Sequence, residues 1–188
     1  MAVLIVGLIL FLGTHSAGTL APGLRSRVVP RIGEGPYKGL YSLVSIAGFA
    51  LIIIGFGEVH ADNSSVYIPL PGLRYLAAIL MIPALVLVTA SFLPPGHMKR
   101  AVVHPLLIGT VLWAVAHLFV NGDLAGVVLF GTFLMWAVVD LVLQPRRVPA
   151  PSPPAVRSDV LALVVGLGLY AVLIWRAHAW LFGVAPSF

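Results

Sequence analysis

His104-Pro-Leu-Leu-Ile-Gly-Thr-Val-Leu-Trp-Ala-Val-Ala-His117-Leu-Phe-Val-Asn121-Gly122 is an apolar run closed at each end by a polar turn and carrying two imidazoles. Such a run reads as a helix buried in a bilayer, where every backbone group bonds within its own segment. His104 precedes a proline, which biases it away from the helical region, so it is expected at the N-terminal turn. Trp113, His117 and Asn121 follow one another at four-residue spacing and share one helical face. The two histidines are 13 residues apart, about 20 Å of rise and about 220° of rotation, so they cannot ligate one metal ion.

The flanking sequence repeats the pattern. The chain of 188 residues is 60% hydrophobic and 9% charged, with a mean hydropathy of +1.07, well outside the range of soluble domains. We expect an all-α, polytopic membrane protein with six spans: about Ala2 to Leu20, Gly39 to Val59, Leu73 to Phe92, Pro105 to Val120, Leu124 to Leu143 and Asp159 to Phe182. The first lacks the basic stretch that opens a signal peptide, and is therefore expected to be retained. Pro83 should kink the third. His60-Ala-Asp-Asn-Ser-Ser reads as a loop and Asn121-Gly122-Asp123 as a tight turn. Residues 1–144 form a five-helix domain, the Pro-rich residues 145–158 an extended cytoplasmic connector and residues 159–188 the sixth helix.

The net charge of +5 does not point to nucleic acid, because the basic residues stand in short clusters between apolar runs. Loops one, three and five hold Arg25, Arg27, Arg31, Lys38, Lys99, Arg100, Arg146, Arg147 and Arg157, against Arg74 and Arg176 on the other side. Positive residues mark the cytoplasmic side, so both termini are expected outside. The expected partner is the lipid bilayer. Cysteine is absent, which excludes disulfides, thiolate ligands and cysteine nucleophiles.

With orientation set, depth sorts the polar residues. His15, His104 and Asp140 fall in one layer near the cytoplasmic face. His117, Asn121, Asp123, His60, His178 and Arg176 fall in or near the outer layer, with Glu58 and Asp62 close by. Ionisable groups inside spans mark either function or hydrogen bonding between helices. Two imidazoles from different helices at one depth suit six-coordinate haem b, with Arg25, Arg27, Lys38 and Arg100 as candidates to pair with its propionates. A site of His15, His104 and Asp140 would leave its remaining coordination to water, and plain helix-to-helix bonding is the third alternative. His97 reads as a loop residue. Gly33-Glu34-Gly35-Pro36-Tyr37-Lys38-Gly39 lacks Walker spacing and a preceding strand, so it reads as an interfacial segment ahead of span two, with Glu34 paired to an arginine. No Ser-His-Asp or paired-carboxylate arrangement supports hydrolysis.

These residues also carry a resemblance. Leu12-Gly13-Thr14-His15-Ser16, Gly33-Glu-Gly-Pro-Tyr-Lys-Gly-Leu-Tyr-Ser-Leu-Val-Ser, His104-Pro105, Trp113-Ala-Val-Ala-His117-Leu, Asn121-Gly122 and Leu129-Phe-Gly-Thr-Phe-Leu-Met-Trp-Ala-Val-Val-Asp140 together resemble the NnrU family over about Leu4 to Asp140. That family takes its name from a bacterial membrane protein associated with nitric oxide and nitrite metabolism. It is similar to plant 15-cis-zeta-carotene isomerase, a membrane enzyme that uses haem b with two axial histidines. The resemblance implies haem b with His15 and His104 as axial ligands, and His117, Asn121 and Asp140 as neighbours of the site. It implies an inner-membrane protein with a redox or nitric-oxide-linked role in denitrification, or a haem-dependent cis-trans isomerase of a polyene or other apolar small molecule. A non-enzymatic haem carrier, an assembly partner of a respiratory complex, a homo-oligomer or a cofactor-free structural protein are the remaining classes.

Overall fold

The computed structural model describes residues 1–21, 23–60, 64–144 and 153–183, the side chains of His60 and Phe182 excepted. Arg146, Arg147, Asp62 and most of the expected Pro-rich connector lie outside the described residues. The described chain is all helical: α1 (Ala2–Leu20), α2 (Leu24–Ile32), α3 (Glu34–His60), α4 (Leu73–Phe92), α5 (His97–Ala101), α6 (Pro105–Leu118), α7 (Leu124–Leu143), α8 (Val156–Val172), a π-helical turn (Leu173–Ala177) and α9 (His178–Phe182). Among the described residues, five segments are long and apolar enough to cross a membrane: Ala2–Leu20, Glu34–Val59, Leu73–Phe92, Leu124–Leu143 and Val156–Leu181. At 14 residues, α6 is about 21 Å long, short of a hydrocarbon layer of about 30 Å.

Several boundaries differ from expectation, among them the end of α6 at Leu118, not Val120. The first basic loop contains α2, whose Arg25, Arg27 and Arg31 give it no apolar run to announce it. The segment expected ahead of span two is the first turn of α3: Gly33, at φ 87°, makes the left-handed turn that lets the helix restart at Glu34. The last helix starts at Val156, not Asp159, and changes to π geometry at Leu173. Pro83 sits inside α4 without ending it.

α1 packs along α3, α6 lies between α4 and α7, α8 lies on α4, and α7 also touches α1 and α3. The closest approaches are made over glycine. A Cβ on Gly7 would meet the Ile52 nitrogen at 2.6 Å, and one on Gly48 the Phe11 nitrogen at 2.7 Å. The α4–α6 and α4–α8 contacts follow the same rule at Gly109 and Gly166. In lipid there is no hydrophobic drive between helices, so contact depends on backbones coming near enough for dispersion and weak hydrogen bonds. Large apolar residues correspondingly face outward: Leu40, Leu43, Ile46 and Phe49 on α3, and Val160, Leu163, Val164 and Leu167 on α8, are all exposed. On a water-soluble domain such a surface would aggregate, whereas in a bilayer it is solvated.

Two polar ties close the ends of the bundle. At one end, residues 64–68 lie across the turn between α6 and α7: Val66 and Tyr67 nitrogens donate to the Gly122 carbonyl at 2.8 and 3.1 Å, and Leu124 N donates to Ser64 O at 2.8 Å. The Tyr67 hydroxyl donates to the Leu118 and Asn121 carbonyls. Partial burial and the Asp123 carboxylate raise the Tyr67 pKa above its ordinary value, which keeps that donor protonated. Asp123 caps α7 through its bond from Gly126 N at 2.9 Å. At the other end, Asp159 accepts from His97 N at 2.8 Å and Met98 N at 3.1 Å, and its Oδ2 lies 2.9 Å from His97 Nδ1. His97 is therefore not a plain loop residue. It starts α5, and a carboxylate 62 residues away, too far along the chain for any local pattern to reveal, satisfies the free N–H groups of that short helix.

Candidate functional site

His15 stands on α1 one turn after Phe11. Its Nδ1–H donates to the Phe11 carbonyl at 2.7 Å, and in the neutral ring this is the tautomer that leaves the lone pair on Nε2. Phe11 and Tyr41 flank the ring at centroid distances of 4.3 and 5.7 Å, and Trp136 from α7 stands edge-on at 6.4 Å. Trp136 is itself positioned by its indole N–H, which donates to Ser16 Oγ at 2.9 Å. The serine hydroxyl in turn donates to Leu12 O at 2.8 Å.

His15 lines a cleft of about 480 Å³ between the C-terminal half of α1 and the first turns of α3, together with Thr14, Gly18, Arg25, Lys38 and Tyr41. Gly18 has nothing within 4 Å of the position a Cβ would take, so this wall is open. Glu34 sits beside the cleft and pairs at 3.0 Å with both Arg25 and Lys38, which confirms the expected glutamate–arginine pair and adds a lysine. Exposed pairs of this kind contribute little stability but hold two cations at one place.

The other expected site residues are more dispersed. His104 caps α6 without a side-chain cap bond, and its Nε2 is buried and has no hydrogen-bond partner. Among the described residues no hydrogen bond or ring contact joins His104 to His15, and α7 lies against both helices that carry them. Arg27 is exposed on α2 and Arg100 half-buried on α5, and neither lines the cleft. Asp140 is buried and accepts from Gln144 Nε2 at 2.6 Å; the same nitrogen reaches Thr19 Oγ1 at 3.4 Å. Gln144, held by Asp140, thus ties the end of α7 to the end of α1. His117 belongs to a different cluster. Its Nδ1–H donates to Trp113 O at 2.9 Å, Phe130 stacks on its ring at 4.5 Å, and Asn121 Nδ2 donates to its carbonyl at 2.8 Å. No group of three or more His, Cys, Asp or Glu among the described residues is placed to hold a metal ion.

Sequence reasoning missed Tyr37, Tyr41 and Ser42 as cleft residues and Trp136 as the partner of Ser16. The first three were legible in principle: positions 37, 38, 41 and 42 share one face once residues 34–42 are read as helix. Trp136 was not, since it is 120 residues from Ser16.

These features define a polytopic helical membrane protein with a histidine-lined cleft under a basic collar. The chain belongs to the NnrU family: the family model described as NnrU protein matches residues 3–186, extending past Asp140 through the last helix. No curated protein and no solved structure matches the chain.

Proposed function

We propose that the protein is a bacterial inner-membrane haem b protein with a redox or nitric-oxide-linked role, whose His15 and His104 serve as axial ligands. The observation that carries this reading is His15. Its Nδ1–H is fixed by a backbone carbonyl, which makes the free Nε2 a better donor, and its cleft is lined by the two cations suited to paired carboxylates. His104 lies outside the lining of this cleft; what recommends it as the second ligand is a buried Nε2 without a partner, an atom whose burial is costly unless something binds it. Arg25 and Lys38 would hold the propionates, while Arg27 and Arg100 have no part in this cleft. Haem supplies one-electron chemistry and an iron centre for small ligands. The chain supplies imidazoles of fixed tautomer, a basic collar and an apolar bundle that excludes water.

A second reading, isomerisation of a polyene, is favoured by the position of the cleft. It opens between two helices whose outer faces are lipid-exposed, and Gly18 leaves its α1 wall bare. An apolar chain dissolved in the bilayer would reach it without crossing water.

The test is the visible spectrum of tag-free protein purified from haem-replete cells, oxidised and dithionite-reduced. We expect a Soret band with the sharp reduced α-band of low-spin bis-histidine haem, and loss of the low-spin signature in His15→Ala and in His104→Ala. A wild-type protein without a Soret band sinks the haem reading. A spectrum unchanged in both variants assigns the ligands elsewhere.

We further propose that α6, extended by the turn at 119–121, makes a sixth crossing. The end bearing Arg25, Arg27, Arg31, Lys38, Lys99, Arg100 and Arg157 is then cytoplasmic, and both termini are outside. The chain has no cysteine, so Ser26→Cys on exposed α2 gives a unique label. It should react with a membrane-impermeant maleimide only in inverted vesicles, and labelling in intact spheroplasts would reverse the orientation.

A further inference from the structure

α2 holds two arginines that the cleft does not use. Arg25 and Lys38 both pair with Glu34, whereas Arg27 and Arg31 are exposed and make no ion pair among the described residues. They stand four residues apart, which brings their side chains to one face of the helix. α2 has no buried residue, and it joins the end of α1 to the start of α3. Those two helices pack side by side, so α2 lies at the end of the bundle, where the apolar length of α1 runs out.

The order of residues around this helix is specific. At about 100° per residue, Leu24, Val28 and Ile32 form a stripe about 80° wide, and Ser26 and Pro30 fall within about 20° of the direction opposite its centre. Arg27 and Arg31 border the stripe on one flank and Arg25 on the other. Leu24 and Ile32 are each 43% exposed, so the bundle leaves the stripe uncovered. Pro30 has no N–H to give the Ser26 carbonyl. The acceptor freed in this way belongs to the polar side, where water satisfies it. An apolar stripe with cations on both borders and a polar back is the pattern of a helix lying in the membrane interface, its long cationic side chains reaching to the headgroups.

We propose that α2 is an interfacial helix that binds anionic phospholipid, with Leu24, Val28 and Ile32 seated among the acyl chains and Arg27 and Arg31 holding a headgroup phosphate between them. Charge complementarity selects this occupant. Residues 24–38 carry four cations and one carboxylate, and that carboxylate, Glu34, is already engaged by Arg25 and Lys38. Guanidinium groups offer paired N–H donors that match phosphate oxygens. A lipid supplies both halves in one molecule, phosphate for the arginines and acyl chains for the stripe. A zwitterionic headgroup carries its own ammonium and brings no net charge to two cations, so the helix should discriminate between headgroups. The proposal depends neither on haem nor on the direction of insertion, because either leaflet presents headgroups to this end of the bundle.

The test uses full-length protein in detergent, titrated with phosphatidylglycerol or phosphatidylcholine, with native mass spectrometry giving the dissociation constant of the first bound lipid. The wild type should bind phosphatidylglycerol tighter by at least about fivefold. That preference should vanish in the double variant Arg27→Gln/Arg31→Gln and persist in Arg157→Gln, which removes another exposed cation of α8. An unchanged preference in the double variant overturns the proposal, as does equal loss in Arg157→Gln. A second measurement reads the position of the helix. The chain has no cysteine, so nitroxide labels on Leu24→Cys and on Ser26→Cys report depth in vesicles containing this chain alone. The label at 24 should collide with oxygen in preference to a water-soluble nickel chelate, and the label at 26 the reverse. Chelate preference at both positions means that something other than lipid covers the stripe, and overturns the proposal. Arg27 and Arg31 have no ion-pair partner in the fold, so the double variant should melt within a few degrees of the wild type, which separates loss of lipid from loss of structure.

Discussion

Gly48→Leu unfolds in detergent well below the wild type, at a cost of about 3 kcal/mol, near the upper end of ordinary overpacking. A Cβ at this position would stand 2.7 Å from the Phe11 nitrogen and 3.1 Å from the Gly7 carbonyl oxygen. Both are backbone atoms of α1, and a helix backbone cannot yield one atom at a time. The added side chain therefore forces α1 and α3 apart as rigid rods, and the dispersion contacts that hold them have no hydrophobic term in lipid to replace them. The damage extends to the cleft, because Phe11 carries the carbonyl that orients His15 and α3 carries Tyr41. The control is Gly57→Leu on the same helix, where nothing lies within 4 Å of the added carbon and the change should be within about 0.5 kcal/mol. Equal melting temperatures for Gly48→Leu and Gly57→Leu, measured by a thermal scan in the same detergent, would mean that the α1–α3 contact does not hold this fold.

That contrast also explains what could be read from the residues. Apolar length alone sets where α1, α4 and α7 run, and their observed bounds match the expected ones because lipid permits few alternatives to helix. The same signal is silent where the chain leaves the apolar register. α2 is hidden by three arginines, and the first turn of α3 by glycines and a proline, features that read as loop until Gly33 is seen to supply the turn. Gly7 and Gly48 stand among many glycines with no local mark to distinguish them from Gly13 or Gly57, because the distinction lies in the helix opposite. The docking of Asp159 on α5 and the π turn are likewise set by tertiary fit. His15 was legible as an intramembrane imidazole, and its four-residue spacing from Phe11 was visible. That its ring shares a cleft with Arg25 and Lys38 depends on how α2 folds back. His117 was assigned to a helix face with Trp113 and Asn121, which the ring contact and the Asn121 bond bear out. Its neighbour His178 was placed in the same outer layer by depth, but the ring contact was not legible, because ideal helical rotation points it elsewhere.

Gly18→Trp should separate ligand binding from folding more cleanly than any change to the histidines. Gly18 lines the His15 cleft, and nothing lies within 4 Å of where its Cβ would be, so an indole can grow into the cleft without displacing backbone. Replacing glycine inside a helix even lowers the conformational cost of folding, by up to about 1 kcal/mol. The apoprotein should then melt at or slightly above the wild-type temperature. On the proposed haem reading, an indole in this cleft competes with a flat macrocycle for the space beside His15, so bound haem per chain should fall at least tenfold although His15 and His104 are both intact. A ligand that merely needed two free imidazoles would be indifferent to this change. Full haem occupancy in a stably folded Gly18→Trp protein would therefore move the binding site out of the α1–α3 cleft, and the assignment of Arg25 and Lys38 to the propionates would fall with it.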